Sequence, residues 1–297
     1  MAVLETNELF KRELSKTKHQ LTSEELEGVK RVTFEILCDV VSICEKENIP
    51  YMLGGGTALG AVRHNGFIPW DDDIDINVQR KYIDPLLNAI EKQYGNKYYI
   101  EAPMRTPGYL SSFIQIHKKG TVFQEYLVQD TEYCGIKIDI FPIENTYSNN
   151  FLRTMHGLLC ESGLFILSCY RMYAWRDEFM ELTSCNQMAR RVVRLKGFIG
   201  MLFAPAHKWW YNRIQHCLAC CKREDSKYVV IPSGRKHFFG EVYQRNIYLE
   251  TVTMPFEKHF FQVSKDFDHY LKMLYGDYRK LPPEGQREHH VIYQLKF

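Results

Sequence analysis

Asp73, Asp75 and Asn77 occupy alternate positions of Asp73-Ile74-Asp75-Ile76-Asn77-Val78, and the run Gly54-Gly55-Gly56 lies shortly upstream. In an extended chain alternate side chains share a face, so the two carboxylates and Asn77 point one way while Ile74, Ile76 and Val78 point into a core. Two carboxylates on one rigid surface can hold a divalent cation. Mg²⁺ (or Mn²⁺) suits such a site, because it favours a few carboxylates plus substrate phosphates over a cage made of protein alone. The glycines let backbone N–H groups approach an anionic ligand that side chains would crowd. The combination points to metal-assisted phosphoryl chemistry.

A third carboxylate lies in Gly135-Ile136-Lys137-Ile138-Asp139-Ile140-Phe141-Pro142, the next clean alternation. Ile136, Ile138 and Ile140 form one face, and Lys137 and Asp139 the other. An acid and a base on the polar side of a buried strand are costly unless they meet a ligand or each other. If this strand lies beside the first, Asp139 completes a three-carboxylate site able to hold two ions, or one ion and a general base.

Other metal chemistries fit less well. A calcium loop opening at Asp71 requires glycine at its sixth position and glutamate at its twelfth, where the chain has Ile76 and Tyr82. Cys217-Leu218-Ala219-Cys220-Cys221 offers half of a zinc site with no second ligand pair at suitable spacing. A sugar-nucleotide glycosyltransferase also uses paired aspartates and stays open as a rival. The chain before Asp73 is short and mostly one helix, leaving little room for the nucleotide-binding unit that would precede such a motif.

The stretch Gly56-Thr57-Ala58-Leu59-Gly60-Ala61-Val62-Arg63-His64-Asn65-Gly66-Phe67-Ile68-Pro69-Trp70-Asp71-Asp72-Asp73-Ile74-Asp75-Ile76 closely resembles the signature of the LicD family, which includes the fukutin-type enzymes of animals. Lys137 to Pro142 is similar to a second family segment. So is the tail from Tyr270 through Tyr275-Gly276-Asp277-Tyr278 and Leu281-Pro282-Pro283 to Arg287 and His289. The resemblance spans about residues 25–145 and 235–292 and is thin between them; Ala58 departs from the bulkier aliphatic residue expected there. It implies a nucleotidyltransferase-type fold and a phosphotransferase acting on cell-surface glycans such as lipopolysaccharide or teichoic acid. A CDP-activated alcohol (CDP-choline, for instance) would pass its phosphocholine or phospho-polyol group to a hydroxyl of a glycan or lipid-linked precursor and release CMP. Carried over by motif, Asp73 and Asp75 are the paired metal ligands, Asp139 is the third catalytic acid, and Gly55, Gly56 and Thr57 lie against the donor phosphates.

Charge for the diphosphate is available from Arg63, His64 and Lys137, with Arg63 favoured for its planar fork. His64 follows a short helix, which it can also simply cap. Trp70 beside the aspartates can stack on cytosine or cradle a quaternary ammonium, or can fix the loop as a core residue. Arg287, His289 and His290 form a cationic tail able to close over a donor. The alternatives are attack on the α-phosphorus of a nucleoside triphosphate with release of pyrophosphate, and a non-catalytic nucleotide- or metal-binding protein on the same fold.

The elements that must position these groups follow from the pattern. Thr22-Ser23-Glu24-Glu25 is a capping box for a long helix with Leu26, Val29, Val32, Ile36, Leu37, Val40 and Cys44 on its buried stripe, ending at Asn48-Ile49-Pro50. A strand at 51–53, a helix near 57–62 and the aspartate strand from residue 73 come next, then a helix over 82–94. Strands at 98–101, 111–118, 121–126 and 136–141 complete a mixed α/β core. The expected organisation is an N-terminal arm (1–21), a nucleotidyltransferase-like catalytic core (22–145) with a mixed β-sheet flanked by helices, an inserted helical basic and apolar subdomain (146–225), and a C-terminal segment packing back on the core (226–297).

The 297 residues, 45% hydrophobic, suffice for a sizeable core, and the net charge of +2 argues against a nucleic-acid-binding surface over the whole protein. The N-terminus lacks the basic start and apolar stretch of a secretory signal. Nine cysteines form no regular framework, which fits a reducing cytoplasm. Between Arg153 and Arg171 only Glu161 is charged, a run of about 17 residues, short of a comfortable span. The basic, aliphatic and tryptophan-bearing stretch 190–210 is a candidate for peripheral contact with the inner face of a membrane, against the alternative of a subdomain packed on the core.

Overall fold

The computed structural model describes residues 21–125, 133–184, 186–283, 287 and 292–297. Helix α1 (Ser23–Lys46) opens with the expected capping box, Thr22 and Glu25 each accepting the other's backbone N–H. Its predicted stripe is buried apart from the half-buried Leu26, and Asn48 ends it with a positive φ of 54°. Strand β1 (Tyr51–Leu53), helix α2 (Gly55–His64), strand β2 (Asp75–Gln79), helix α3 (Arg80–Tyr94) and strand β3 (Tyr98–Glu101) follow. Then come β4 (Ile114–Lys118), β5 (Val122–Glu125) and the long β6 (Lys137–Thr146).

Seven strands make one sheet in the order β1-β2-β6-β4-β3, extended from the far end of β6 by β7 (Tyr228–Val230) and β8 (Val242–Gln244). Among the described residues of this sheet only β2 and β6 run parallel; the other pairs are antiparallel. The mixed α/β class is therefore the observed one. Ile74, Ile76, Val78, Ile138 and Ile140 are fully buried against α1 and α3 in the main core, as their alternation requires.

Three strand boundaries differ from the sequence pattern by two residues or more. Sheet pairing in β2 starts at Asp75 rather than at residue 73. β4 starts at Ile114 rather than at 111, because Ser111 and Ser112 are bonded to the distant helix His207–Leu218: the Ser111 carbonyl accepts from Tyr211, and Ser112 Oγ accepts from Gln215. β6 runs past Pro142, where the proline suggested an end. Asp139 N–H donates toward β2, so position 142 faces the β4 side, and β4 has already ended there, opposite Ile140. A missing N–H costs nothing at such a place.

Between β6 and β7 lie α4 (Asn150–Ala174), α5 (Arg176–Leu182), α6 (Gln187–Phe203) and α7 (His207–Leu218). α4 and α6 approach closely, since a Cβ on Gly200 would fall 2.1 Å from the Cys169 carbonyl oxygen. Among the described residues no helix is long and apolar enough to cross a membrane. The hairpin β9 (Thr251–Phe256) and β10 (His259–Ser264) leads to α8 (Phe267–Tyr275), which stops at Gly276 with φ +67°. Finally β11 (Ile292–Lys296) pairs with β5, and the Phe297 ring lies on Gly28 of α1.

Candidate active site

Gly54 caps α2, and Gly55 enters it at φ +43°, a conformation that L side chains rarely adopt. The glycines are also needed for space. A Cβ on Gly55 would lie 2.3 Å from Asp75 Oδ2, one on Gly56 2.8 Å from Asp71 Oδ2, and one on Gly54 2.6 Å from Asn77 Oδ1. Two carboxylates thus sit against the first turn of α2, where N–H groups without an intrahelical partner and the helix dipole favour negative charge. The ground assigned to donor phosphates at Gly55 and Gly56 is shared with Asp75 and Asp71. Buried Thr57 fixes Asp75 by accepting its backbone N–H at 2.8 Å.

Asn77 shares the Asp75 face but is buried rather than wet. Its amide donates to the Tyr248 hydroxyl at 3.1 Å and reaches Tyr270 at 3.4 Å, while Gly55 N–H donates to Tyr270 at 2.8 Å. Tyr243 stacks on Tyr248 with ring centroids 4.2 Å apart, so a tyrosine layer supports the glycine turn. Burial pushes the Tyr270 phenol up, with the charges of Glu241 and Asp75 adding to it.

On the sheet, Asp75 and Asp139 are register partners across the parallel β2–β6 pair, so they lie side by side. Asp73 and Asp139 line one cavity of about 170 Å³ together with Asp72, Gln115, Glu125 and Lys137. Gln115, opposite Asp139 on β4, donates to Asp139 Oδ1 at 3.0 Å. Lys137 is ion-paired with Glu125. Burial disfavours its charge, yet Glu125, Asp139 and Asp73 outweigh that and push its pKa up, so Lys137 is a cation facing the carboxylates.

The carboxylates of Asp71, Asp72 and Asp73 themselves converge, with one oxygen of each within 4.8 Å of the others. Consecutive side chains of a strand diverge; these meet because residues 71–74 precede β2. Asp71 and Asp72 are therefore candidate ligands that alternation did not single out. Gln115 and Glu125 were missed too. Gln115 was legible as the polar member of Ile114-Gln115-Ile116, whereas nothing local marked Glu125.

The remaining candidates divide. Arg63 donates from Nη1 to the Tyr278 carbonyl at 2.6 Å and from Nε to His64 Nε2 at 2.9 Å, tying α2 to the chain after α8. Burial and the Arg63 charge hold the His64 pKa down, which suits its accepting role, and Asn65 rather than His64 caps the helix. Half-buried Trp70 packs on the core, and the Arg287 guanidinium lies 4.4 Å from its ring centroid, which brings the C-terminal segment to the residue next to Asp71. His289 and His290 lie outside the described residues. The cysteine run at 217–221 ends α7 as free thiols, and no thiol is in the one metal-competent cluster found among the described residues.

Residues 48–159 match the LicD/FKTN/FKRP nucleotidyltransferase domain. The chain is 25% identical over 283 residues to the lipopolysaccharide cholinephosphotransferase LicD of Haemophilus influenzae, covering 88% of this chain and 94% of that protein. It is 46% identical over 39 residues to human ribitol 5-phosphate transferase FKRP, covering 13% of this chain and 8% of that protein. The matched domain begins just before β1 and ends in α4, so it holds every aspartate of the site. Residues 48–159 are thus a LicD/FKTN/FKRP nucleotidyltransferase domain, and along nearly its whole length the chain is similar to a LicD transferase.

Proposed function

We propose that this protein transfers a phospho-alcohol group, phosphocholine or a phospho-polyol, from a CDP-activated donor to a hydroxyl of a surface glycan or its lipid-linked precursor, releasing CMP. The two named relatives move phosphocholine and ribitol 5-phosphate, so what they share is transfer of an alcohol together with its phosphate. The observation that carries the reading is the pairing of Asp75 with Asp139 beside a cavity that also holds Asp73 and Lys137.

The oxygen-only donor set of Asp71, Asp72, Asp73, Asp75 and Asp139 fits Mg²⁺ or Mn²⁺. Bound there, such an ion would neutralise charge on phosphoryl oxygens. The chain's own groups do the rest. The acceptor oxygen bonds to the phosphorus bearing the alcohol while the bridging P–O bond breaks, and its electron pair leaves with CMP. Asp139, steadied by Gln115, takes the acceptor proton. Lys137 opposes the growing negative charge, and the first turn of α2 orients the diphosphate.

The test is product analysis. Full-length protein is incubated with Mg²⁺ and CDP-choline, CDP-ribitol or CDP-glycerol, with a glycan acceptor, and in parallel with CTP. CMP formed from one of the CDP-alcohols is the expected result. Pyrophosphate from CTP, with every CDP-alcohol intact, would instead identify a nucleotidyltransferase.

A further inference from the structure

The helices α4, α6 and α7 carry twelve of the eighteen exposed large hydrophobic side chains among the described residues. Their distribution is the reverse of an ordinary surface helix. On α6 the face toward the protein holds Ala189, Val193 and Gly200, with Gly200 against the Cys169 carbonyl. Its outer face holds Met188, Leu195 and Leu202, each two turns from the next, with Phe198 beside them, and all four are more than half exposed. Arg191 and Arg194 are exposed among these residues. On the neighbouring α4, Phe151, Met155 and Leu158 form a second exposed stripe. Lys196 spans the two helices, donating to Ser168 and lying 5.4 Å from the Phe165 ring centroid.

Charge decides what this face meets. From Gln187 to Leu218 the sequence has six basic residues, Arg190, Arg191, Arg194, Lys196, Lys208 and Arg213, and no acidic one. Trp209 is 53% exposed, with the Arg213 guanidinium 5.3 Å from its ring centroid. Aliphatic and aromatic side chains to enter the acyl boundary, an interfacial tryptophan and the acid-free set of cations on α6 and α7 together match an anionic lipid surface, with Glu161 of α4 turned to the Phe238 N–H. With no spanning helix among the described residues, the contact is one that lies on the bilayer.

We infer that the outer face of α4, α6 and α7 docks on an anionic bilayer. α7 links this face to the reaction cavity through its bonds to Ser111 and Ser112, immediately before Phe113 and Gln115 of the cavity wall. Docking would present the cavity beside a lipid-linked acceptor, yet the surface stands on its own observations and needs no particular reaction.

Vesicle flotation of the full chain tests it without donor or acceptor. Wild type should float with equimolar phosphatidylcholine and phosphatidylglycerol, bind phosphatidylcholine alone at least roughly tenfold less, and be released by high salt. L195E/L202E should lose roughly tenfold in binding with unchanged circular dichroism and melting temperature. R191S/R194S should weaken binding to the anionic vesicles alone, and it decides the matter should the first variant fail to fold. No flotation of wild type, or flotation indifferent to both double variants, overturns the inference. Self-association that L195E/L202E abolishes, without vesicle binding, overturns it too and assigns the face to a second copy of the chain.

Discussion

Asp75 is held from three sides: Thr57 takes its N–H, Gly55 leaves room for its carboxylate, and Asp139 lies beside it across the sheet. Removing its charge without changing its volume should therefore leave the fold intact. In Asp75→Asn, unfolding free energy without ligand should stay within about 1 kcal/mol of wild type, while the rise in melting temperature that the proposed function expects from Mg²⁺ plus CDP-choline in wild type should be lost. Full transferase activity in this variant would exclude Asp75 from the site. Gly55→Ala acts differently. It places a Cβ where φ is +43° and 2.3 Å from Asp75 Oδ2, so it should cost about 1–3 kcal/mol in urea denaturation and also weaken donor binding. A Gly55→Ala variant as stable as wild type would mean that the turn relaxes freely.

At the scale of elements, the site depends on one parallel strand pair and on a clasp. The β2–β6 pairing converts two separate alternations into one carboxylate surface, and β4 adds Gln115 from the other side. Arg63 then joins α2 to the carbonyls of Tyr278 and Lys280, fixing the chain just beyond α8. Charge-assisted bonds of this kind contribute about 1.5–3 kcal/mol. Arg63→Ala should speed proteolytic cleavage after Gly276 and lower donor-induced stabilisation, with far-UV circular dichroism unchanged. Protease resistance equal to wild type would show the clasp to be idle.

The whole molecule couples the C-terminal third to the site through a buried tyrosine layer that ends on Glu241. This carboxylate accepts the Lys236 N–H at 2.8 Å and the Tyr243 hydroxyl at 3.4 Å. Burial pushes its pKa from 4.5 up to about 7, only partly countered by those hydrogen bonds and by Arg235 and Lys236. Between these values the folded state keeps a proton that the unfolded chain releases. Stability from this group is thus present at low pH and lost as pH rises toward about 7, a change of roughly 3 kcal/mol. Measured by urea denaturation, the stability of wild type relative to Glu241→Gln should fall by about that amount between about pH 5 and about pH 8. A difference that does not vary with pH would place the Glu241 pKa near its ordinary value.

Local pattern was enough for α1 with its capping box, β1, α2, α3, β3 and the two alternating strands, because capping, periodicity and glycine placement act between residues close in the chain. It also marked Asp73, Asp75 and Asp139 as the residues to watch. What only the tertiary structure decided is which groups meet. Asp71 and Asp72 join Asp73 because the chain turns before β2. Glu125 pairs with Lys137 because β5 comes near β6, and Arg63 faces carbonyls more than two hundred residues away. The same holds for the solvent-facing hydrophobic residues of α6. Their sequence reads as an amphipathic helix, and small residues against α4 settled which side would be covered. Contacts between distant segments depend on packing and on loop paths, and short-range periodicity carries no record of either.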